Sequence, residues 1–202
     1  CGVGTVEVVQ TLIEGVLLIK PKVWGDARGY FVETWQQQRY EAAGISLPFV
    51  QDNHSMSTRG ILRGLHYQKT RPQGKLVYVS LGSVFDVAVD LRKDSKTYGK
   101  WYGVELTEEN KKQFLIPEGF AHGFLVLSDV AEFCYKVNDF WHPNDEGGMA
   151  WNDPEIGIEW PQLVGEYPGS ADASGYALED GTKLTLSDRD QKWLGLKGTF
   201  KF

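Results

Sequence analysis

The stretch SVFDVAVDL, residues 83–91, decides the fold. Val84, Asp86, Ala88 and Asp90 fall on one side of it, and Phe85, Val87, Val89 and Leu91 on the other. That period of two belongs to a half-buried β-strand. Runs of the same kind lie on both sides: GVLLIKPKVW, GYFVETW, ILRGLHYQ and KLVYVSLG upstream, and KWYGVEL, QFLIP, HGFLVLS and AEFCYKV downstream. Gly, Pro, Asn and Asp interrupt them at short, regular intervals. Helical signal is confined to TWQQQRYEAAG and TEENKK, the second with Thr107 and Asn110 placed to cap it. Many short, evenly spaced strands without β–α alternation predict an all-β jelly-roll barrel with short peripheral helices.

The 202 residues read as a single domain, 1–202. Past Trp160 and Pro161 the pattern lapses. Residues 162–183 are rich in Gly, Ser, Asp and Glu and read as an irregular C-terminal excursion, after which KLTLSDRDQKWLGL regains order. Aromatic residues make up 13% of the chain, which suits β architecture and a site that stacks planar groups. The net charge of -6 argues against nucleic acid as a partner, because phosphate neutralisation needs clustered Lys and Arg. A few placed cations still suffice for a small anion. No signal peptide and no bilayer-length apolar run is seen, so a cytoplasmic protein without membrane contact is expected. Of the two cysteines, Cys1 is terminal and Cys134, within AEFCYKV, reads as a small buried hydrophobe.

A β-barrel carrying His54, His66, His122 and His142 first suggests a metal-binding, cupin-like site. Such a site needs a second histidine two residues after the first, and here that position is Gln68. No metal is therefore expected, although His54 and His122 remain free to converge. Without metal, His66 is a candidate base, since imidazole accepts a proton near neutral pH. Arg63 and Lys75 lie close in sequence and suit an anionic ligand or a developing oxyanion. Tyr135 is either packing or a general acid. Asp190 is either a surface carboxylate or the group that orients a histidine; spacing alone does not bring it to His66.

These residues sit in an ordered set of motifs: GDARGYFVET, QDNHS, RGLHYQ, QGKL, GSVFDVAVDLR, IPEGFAHGF, YKVNDFW, WNDPEIGIEWP and, more weakly, LSDRD. The set resembles the dTDP-4-dehydrorhamnose 3,5-epimerase family from about Leu17 to Pro161. The resemblance implies a homodimeric, cupin-like jelly roll with no cofactor. It implies a nucleotide-sugar substrate, a dTDP-linked 4-keto-6-deoxyhexose inverted at C3 and C5. His66 matches the family's base, Asp190 the carboxylate orienting it, Tyr135 the proton donor, and Arg63 and Lys75 the cations near carbonyl and diphosphate. Arg28, Glu33, Gln51, Asn53, His122, Glu146 and Arg189 match nucleotide-site positions, and Trp24 and Phe31 match rings near the thymine across a dimer interface. Trp141 stands where many relatives have Tyr, and residues 162–183 form a longer stretch than the family norm. A C3-only epimerase, a sugar-nucleotide keto-isomerase, a metal-dependent cupin and a non-catalytic binding module are the competing readings.

Overall fold

A computed structural model describes residues 6–165 and 170–202; Cys1 lies outside them. The elements in order are β1 (Glu7–Gln10), β2 (Leu17–Lys20), β3 (Val23–Asp26), β4 (Gly29–Val32), α1 (Gln37–Ala42), β5 (Gln51–Thr58), β6 (Leu62–Gln68), β7 (Lys75–Leu81) and β8 (Ser83–Asp90). They continue with β9 (Trp101–Thr107), β10 (Gln113–Ile116), β11 (Phe120–Val126), β12 (Val130–Val137), β13 (Glu146–Gly148), β14 (Leu163–Val164) and β15 (Ala177–Leu178). Six strands form one antiparallel sheet in the order β1-β2-β10-β7-β12-β5, and five form the other in the order β13-β6-β11-β8-β9. This is the expected cupin-like jelly roll.

The two sheets close over a core that includes Val77, Val79, Val84, Ala88, Phe114, Phe124 and Phe133. A second cluster covers the outer face of the five-stranded sheet, where Leu65, Val87, Val89 and Leu125 meet Trp151, Trp160, Tyr176 and Leu178. A third packs Tyr40 and Ile45 against Ile19, Leu76 and Leu115. Tyr40 comes from α1, whose first turn is capped by the Gln36 side chain accepting from the Arg39 N–H at 2.7 Å.

Strand β8 keeps the expected alternation, but it is not half-buried. Its even face looks into the barrel and its odd face is covered by the C-terminal segment. Asp86 and Asp90 are both fully buried. Burial opposes ionisation of Asp90, yet bonds from Arg92, Ser95 and Thr97 hold its carboxyl below the usual range.

Other expectations are corrected. TEENKK forms a turn rather than a helix: the Asn110 N–H donates to Thr107 Oγ1 at 2.8 Å, the Thr107 N–H donates to Asn110 Oδ1 at 3.1 Å, and Lys111 has φ 51°. Six polar residues offer no apolar face to offset helix nucleation. Strand β5, QDNHSMST, carries almost no apolar signal and exists because β12 pairs with it along its length, from Val137↔Gln51 to Val130↔Thr58. Cys134 is half-exposed, because the alternation of β12 sends Ala131, Phe133 and Val137 inward and Cys134 outward.

Of residues 162–183, 166–169 lie outside the described residues, and the described ones are not idle. Ala171, Ala173, Tyr176 and Leu178 are buried, and the Trp151 indole donates to the Ala171 carbonyl at 2.8 Å. The chain then returns beside β6, where the Leu62 N–H donates to the Thr185 carbonyl at 3.0 Å. That return delivers residues 185–190 to the mouth of the barrel.

Candidate active site

A cavity of about 530 Å³ opens into the barrel, and His66, Lys75, His122, Tyr135 and Asp190 all line it with Arg63 and Arg189. The first five arrive by four different strands and one loop. His66 (β6) and His122 (β11) are direct register partners, so their side chains share the inner face. Next to them the register shifts, with Phe124 opposite Arg63. Gly64 sits at this bulge with φ 125°, and a Cβ there would lie 2.7 Å from the Gly123 Cα and 2.8 Å from the His122 carbonyl oxygen. Only glycine fits so close an approach in that conformation.

The Gly64 N–H donates to Asp190 Oδ2 at 3.0 Å. The Trp193 indole donates to Asp190 Oδ1 at 3.0 Å and lies over Gly148, where a Cβ would strike the ring. Between these two donors Asp190 Oδ1 lies 2.6 Å from His66 Nε2. Burial alone would push the Asp190 carboxyl up, but the His66, Gly64 and Trp193 bonds outweigh it and hold the group below the usual range. A carboxylate on Nε2 selects the Nε2–H tautomer and leaves the Nδ1 lone pair free. The sequence does not show this pair, because 124 residues separate its members.

His66 Nδ1 lies 3.7 Å from Glu146 Oε1. Glu146 is tied in turn to Arg189 Nη2 at 2.7 Å and to the Trp141 indole at 3.3 Å. Trp141 is also held through its backbone N–H, which donates to Gln51 Oε1 at 3.2 Å; Gln51 Nε2 donates to Asn53 Oδ1 at 2.8 Å. Asn53 pairs in register with Tyr135. Burial pushes the Tyr135 phenol up, against the pull of Asn53 and Arg63, so it keeps its proton at neutral pH. Arg63 is braced by its Nε–H, which donates to Ser57 Oγ at 2.9 Å.

Beside His66, on the adjacent strand, His122 Nε2 lies 2.9 and 2.8 Å from the two oxygens of Asp86. Burial drives the Asp86 carboxyl well up and the His122 imidazole well down, so this pair resists carrying charge. Burial also lowers the Lys75 ammonium to about 8, against the opposing fields of Asp86 and Glu146. Asp86 was not singled out from the sequence. Its signal is a carboxylate alternating with Val84 and Ala88 on a face that turns out to be interior.

His54 does not converge with His122. It points outward, with Nε2 3.5 Å from Glu132 Oε2 and more than half its side chain exposed. Gln68 is a clamp: its Nε2 donates to the Arg71 and Phe140 carbonyls at 2.8 and 3.1 Å, and its Oε1 accepts from the His142 N–H at 2.7 Å. Among the described residues no group of three or more His, Cys, Asp or Glu is arranged to hold a metal ion. Trp24, Arg28, Phe31 and Glu33 do not reach this cavity. They belong to the β3–β4 hairpin and its exit, where Arg28 pairs with Asp26 at 2.6 Å, Glu33 pairs with Arg39 at 2.8 Å, and both rings are exposed.

Residues 10–198 match the dTDP-4-dehydrorhamnose 3,5-epimerase family. The chain is 48% identical over 189 residues to the dTDP-4-dehydrorhamnose 3,5-epimerase of Methanothermobacter thermautotrophicus, covering 94% of each. It is 58% identical over 156 residues to the enzyme of that name from Shigella flexneri, covering 76% of this chain and 86% of the other. Among solved structures, dTDP-6-deoxy-D-glucose-3,5-epimerase from Legionella pneumophila, in complex with dTDP-4-keto-L-rhamnose, superposes with a TM-score of 0.83 at 46% identity, covering 95% of this chain and 93% of that one. With that match over nearly its whole length, and a His–Asp pair, a tyrosine and a lysine around one cavity, the chain belongs to the dTDP-4-dehydrorhamnose 3,5-epimerase family.

Proposed function

We propose that this protein inverts C3 and C5 of dTDP-4-dehydro-6-deoxy-D-glucose to give dTDP-4-dehydro-L-rhamnose, an isomerisation by proton removal and return. The observation that carries the reading is the convergence of His66–Asp190, Tyr135 and Lys75 on one cavity. The C4 carbonyl acidifies the hydrogens on its two neighbouring carbons. His66 Nδ1 takes one of them, and the C–H electron pair becomes the enolate double bond with charge on O4. The Lys75 ammonium stabilises that oxyanion, a contribution of roughly 3–4 kcal/mol for a well-placed donor. Tyr135 gives its proton to the opposite face of the same carbon, which inverts the centre. Solvent then reprotonates the phenolate and accepts the proton from His66. The second carbon repeats the cycle after the ring shifts in the cavity. Acid–base help of this kind supplies about 10²–10⁴-fold each.

Arg63 and Arg189 offset the diphosphate charge at the mouth, and the nucleotide's binding energy fixes the sugar. The working form is a homodimer in the cytoplasm. Trp24 and Phe31 stand exposed on the β3–β4 hairpin with Arg28, away from their own chain's cavity, as expected of groups that complete a second copy's nucleotide site.

Proton NMR of the substrate with the protein in deuterated water tests the reaction. Deuterium at both C3 and C5, with rhamno product trapped by a reductase, is expected. Exchange at C3 alone would identify a single-site epimerase, and no exchange would refute the proposal.

A further inference from the structure

The reaction proposed above asks Tyr135 to give its proton to carbon, which leaves a phenolate on the cavity wall. Burial opposes that anion. Asn53 on β5 is the direct register partner of Tyr135 on β12, and both are half-buried. Alternation puts Asn53 on the face of Ser55, and Tyr135 on the face of Phe133; Ser55, Phe133 and Tyr135 all line the cavity. The direction of the Asn53 amide is fixed from two residues away. The Trp141 backbone N–H donates to the Gln51 side chain at 3.2 Å. A backbone N–H only donates, so the Gln51 atom that receives it is the oxygen, and the other terminal atom is the NH2 group. That NH2 donates to the Asn53 side chain at 2.8 Å, so the Asn53 atom that receives it is again the oxygen. The Asn53 NH2 is left over, and its bond goes to the Tyr135 phenol in the sense that favours the anion, as a donor's does. Every link has its donor on the same side, and bonds in such a chain polarise one another. An amide oxygen at this place would accept the phenol's proton and hold it back. An NH2 group bonds the phenol oxygen and leaves its O–H free for the substrate.

We propose that Asn53 is a positioning residue: its NH2 group, oriented by Gln51 and the Trp141 backbone, donates to the Tyr135 oxygen, aims the phenol's proton into the cavity and stabilises the phenolate left when that proton reaches carbon. The proposal rests on the epimerase reading of the cavity, and the role differs from the nucleotide contact that the family resemblance implies for Asn53. In the step itself the phenol O–H bond breaks and its proton joins the enolate's electron pair to form the new C–H bond. The O–H pair stays on the phenolate oxygen, where the Asn53 NH2 meets it. Arg63 favours the same anion through its charge and Glu146 opposes it. Asn53 adds a neutral donor at the oxygen itself.

The test compares unaltered protein with Asn53→Ala on dTDP-4-dehydro-6-deoxyglucose in deuterated water, reading deuterium wash-in at C3 or C5, formation of inverted product, and affinity for dTDP by calorimetry. Wash-in needs only proton removal by His66, whereas inversion needs the phenol. The expected result is wash-in within about threefold, inverted product slower by about 10–100-fold, and dTDP affinity within about threefold. Equal falls in wash-in and inversion would reduce Asn53 to a packing role. A loss of dTDP affinity with the ratio of wash-in to inversion unchanged would make it a nucleotide contact. Either overturns the proposal, as would an unchanged rate of inversion. Proton NMR of unaltered protein needs no variant to fold and no turnover. A nuclear Overhauser contact from the Asn53 NH2 protons to the Tyr135 ring is expected; NH2 protons that contact the Gln51 side chain and not that ring overturn the proposal. Absence of turnover in unaltered protein would count against the epimerase reading, and the amide contact would still decide how Asn53 meets Tyr135.

Discussion

Two histidines face each other across neighbouring strands, each with an aspartate on Nε2, and they are built for opposite tasks. His66 keeps 27% of its side chain exposed at the cavity, and its partner Asp190 is held ionised by two further donors, the Gly64 N–H and the Trp193 indole. His122 keeps 8%, and its partner Asp86 accepts from that one imidazole and is pushed toward the neutral form by burial. The first pair can take up a proton because a stabilised carboxylate waits beneath it. The second cannot do so without placing charge in an apolar barrel. The same two residue types therefore give a base in one place and a fixed polar strut in the other. What differs is solvent access and the number of donors on the carboxylate.

The largest effect that would break this contrast is expected from His66→Ala. Turnover should fall by about 10³-fold or more with the fold intact by circular dichroism; substantial activity would remove His66 as the base. Asp190→Asn should cost on the order of 10²–10³-fold in kcat, because the amide no longer stabilises an imidazolium. Tyr135→Phe should keep solvent exchange at C3 or C5, seen by deuterium NMR, yet lose inverted product; a normal rate of product would rule it out as the acid. His122→Asn sharpens the contrast: kcat should fall only about tenfold, and a loss as large as that of His66→Ala would make the two pairs equivalent.

The smallest effect is on stability. Lys75 is lowered to about 8 in the fold, from 10.5 in the open chain. Below pH 8 both states carry the proton and the cost of the buried ammonium is complete. Between pH 8 and 10 the unfolded chain holds more protons than the folded one, so stability rises with pH. Urea unfolding at pH 7, 8, 9 and 10 should show this rise in the unaltered protein and its loss in Lys75→Met.

Much of the barrel was legible because alternation is a local property. Strands β6 to β12 follow runs visible in the chain, and α1 follows TWQQQRYEAAG. Strand β5 was illegible because its residues carry no apolar rhythm; its partner β12 makes it a strand. TEENKK misled because a helix-like composition says nothing about a face to bury. Of the site, His66, Lys75 and Tyr135 come from strands whose inner faces are marked by their apolar neighbours, and the structure brings them together. Asp86 was not legible as a site residue, because alternation groups it with Val84 and Ala88 without saying that this face is interior.

The sequence by itself determined which side chains share a strand face, where the chain turns, and which motifs tie it to its family. Those properties depend on neighbours two to four residues away. Only the tertiary structure decided that both faces of β8 are dry, that Asp190 reaches His66 across 124 residues, and that His122 rather than His54 joins it. Each of these depends on barrel closure and on the path of the C-terminal segment, which bring together residues whose separation along the chain carries no record of their contact.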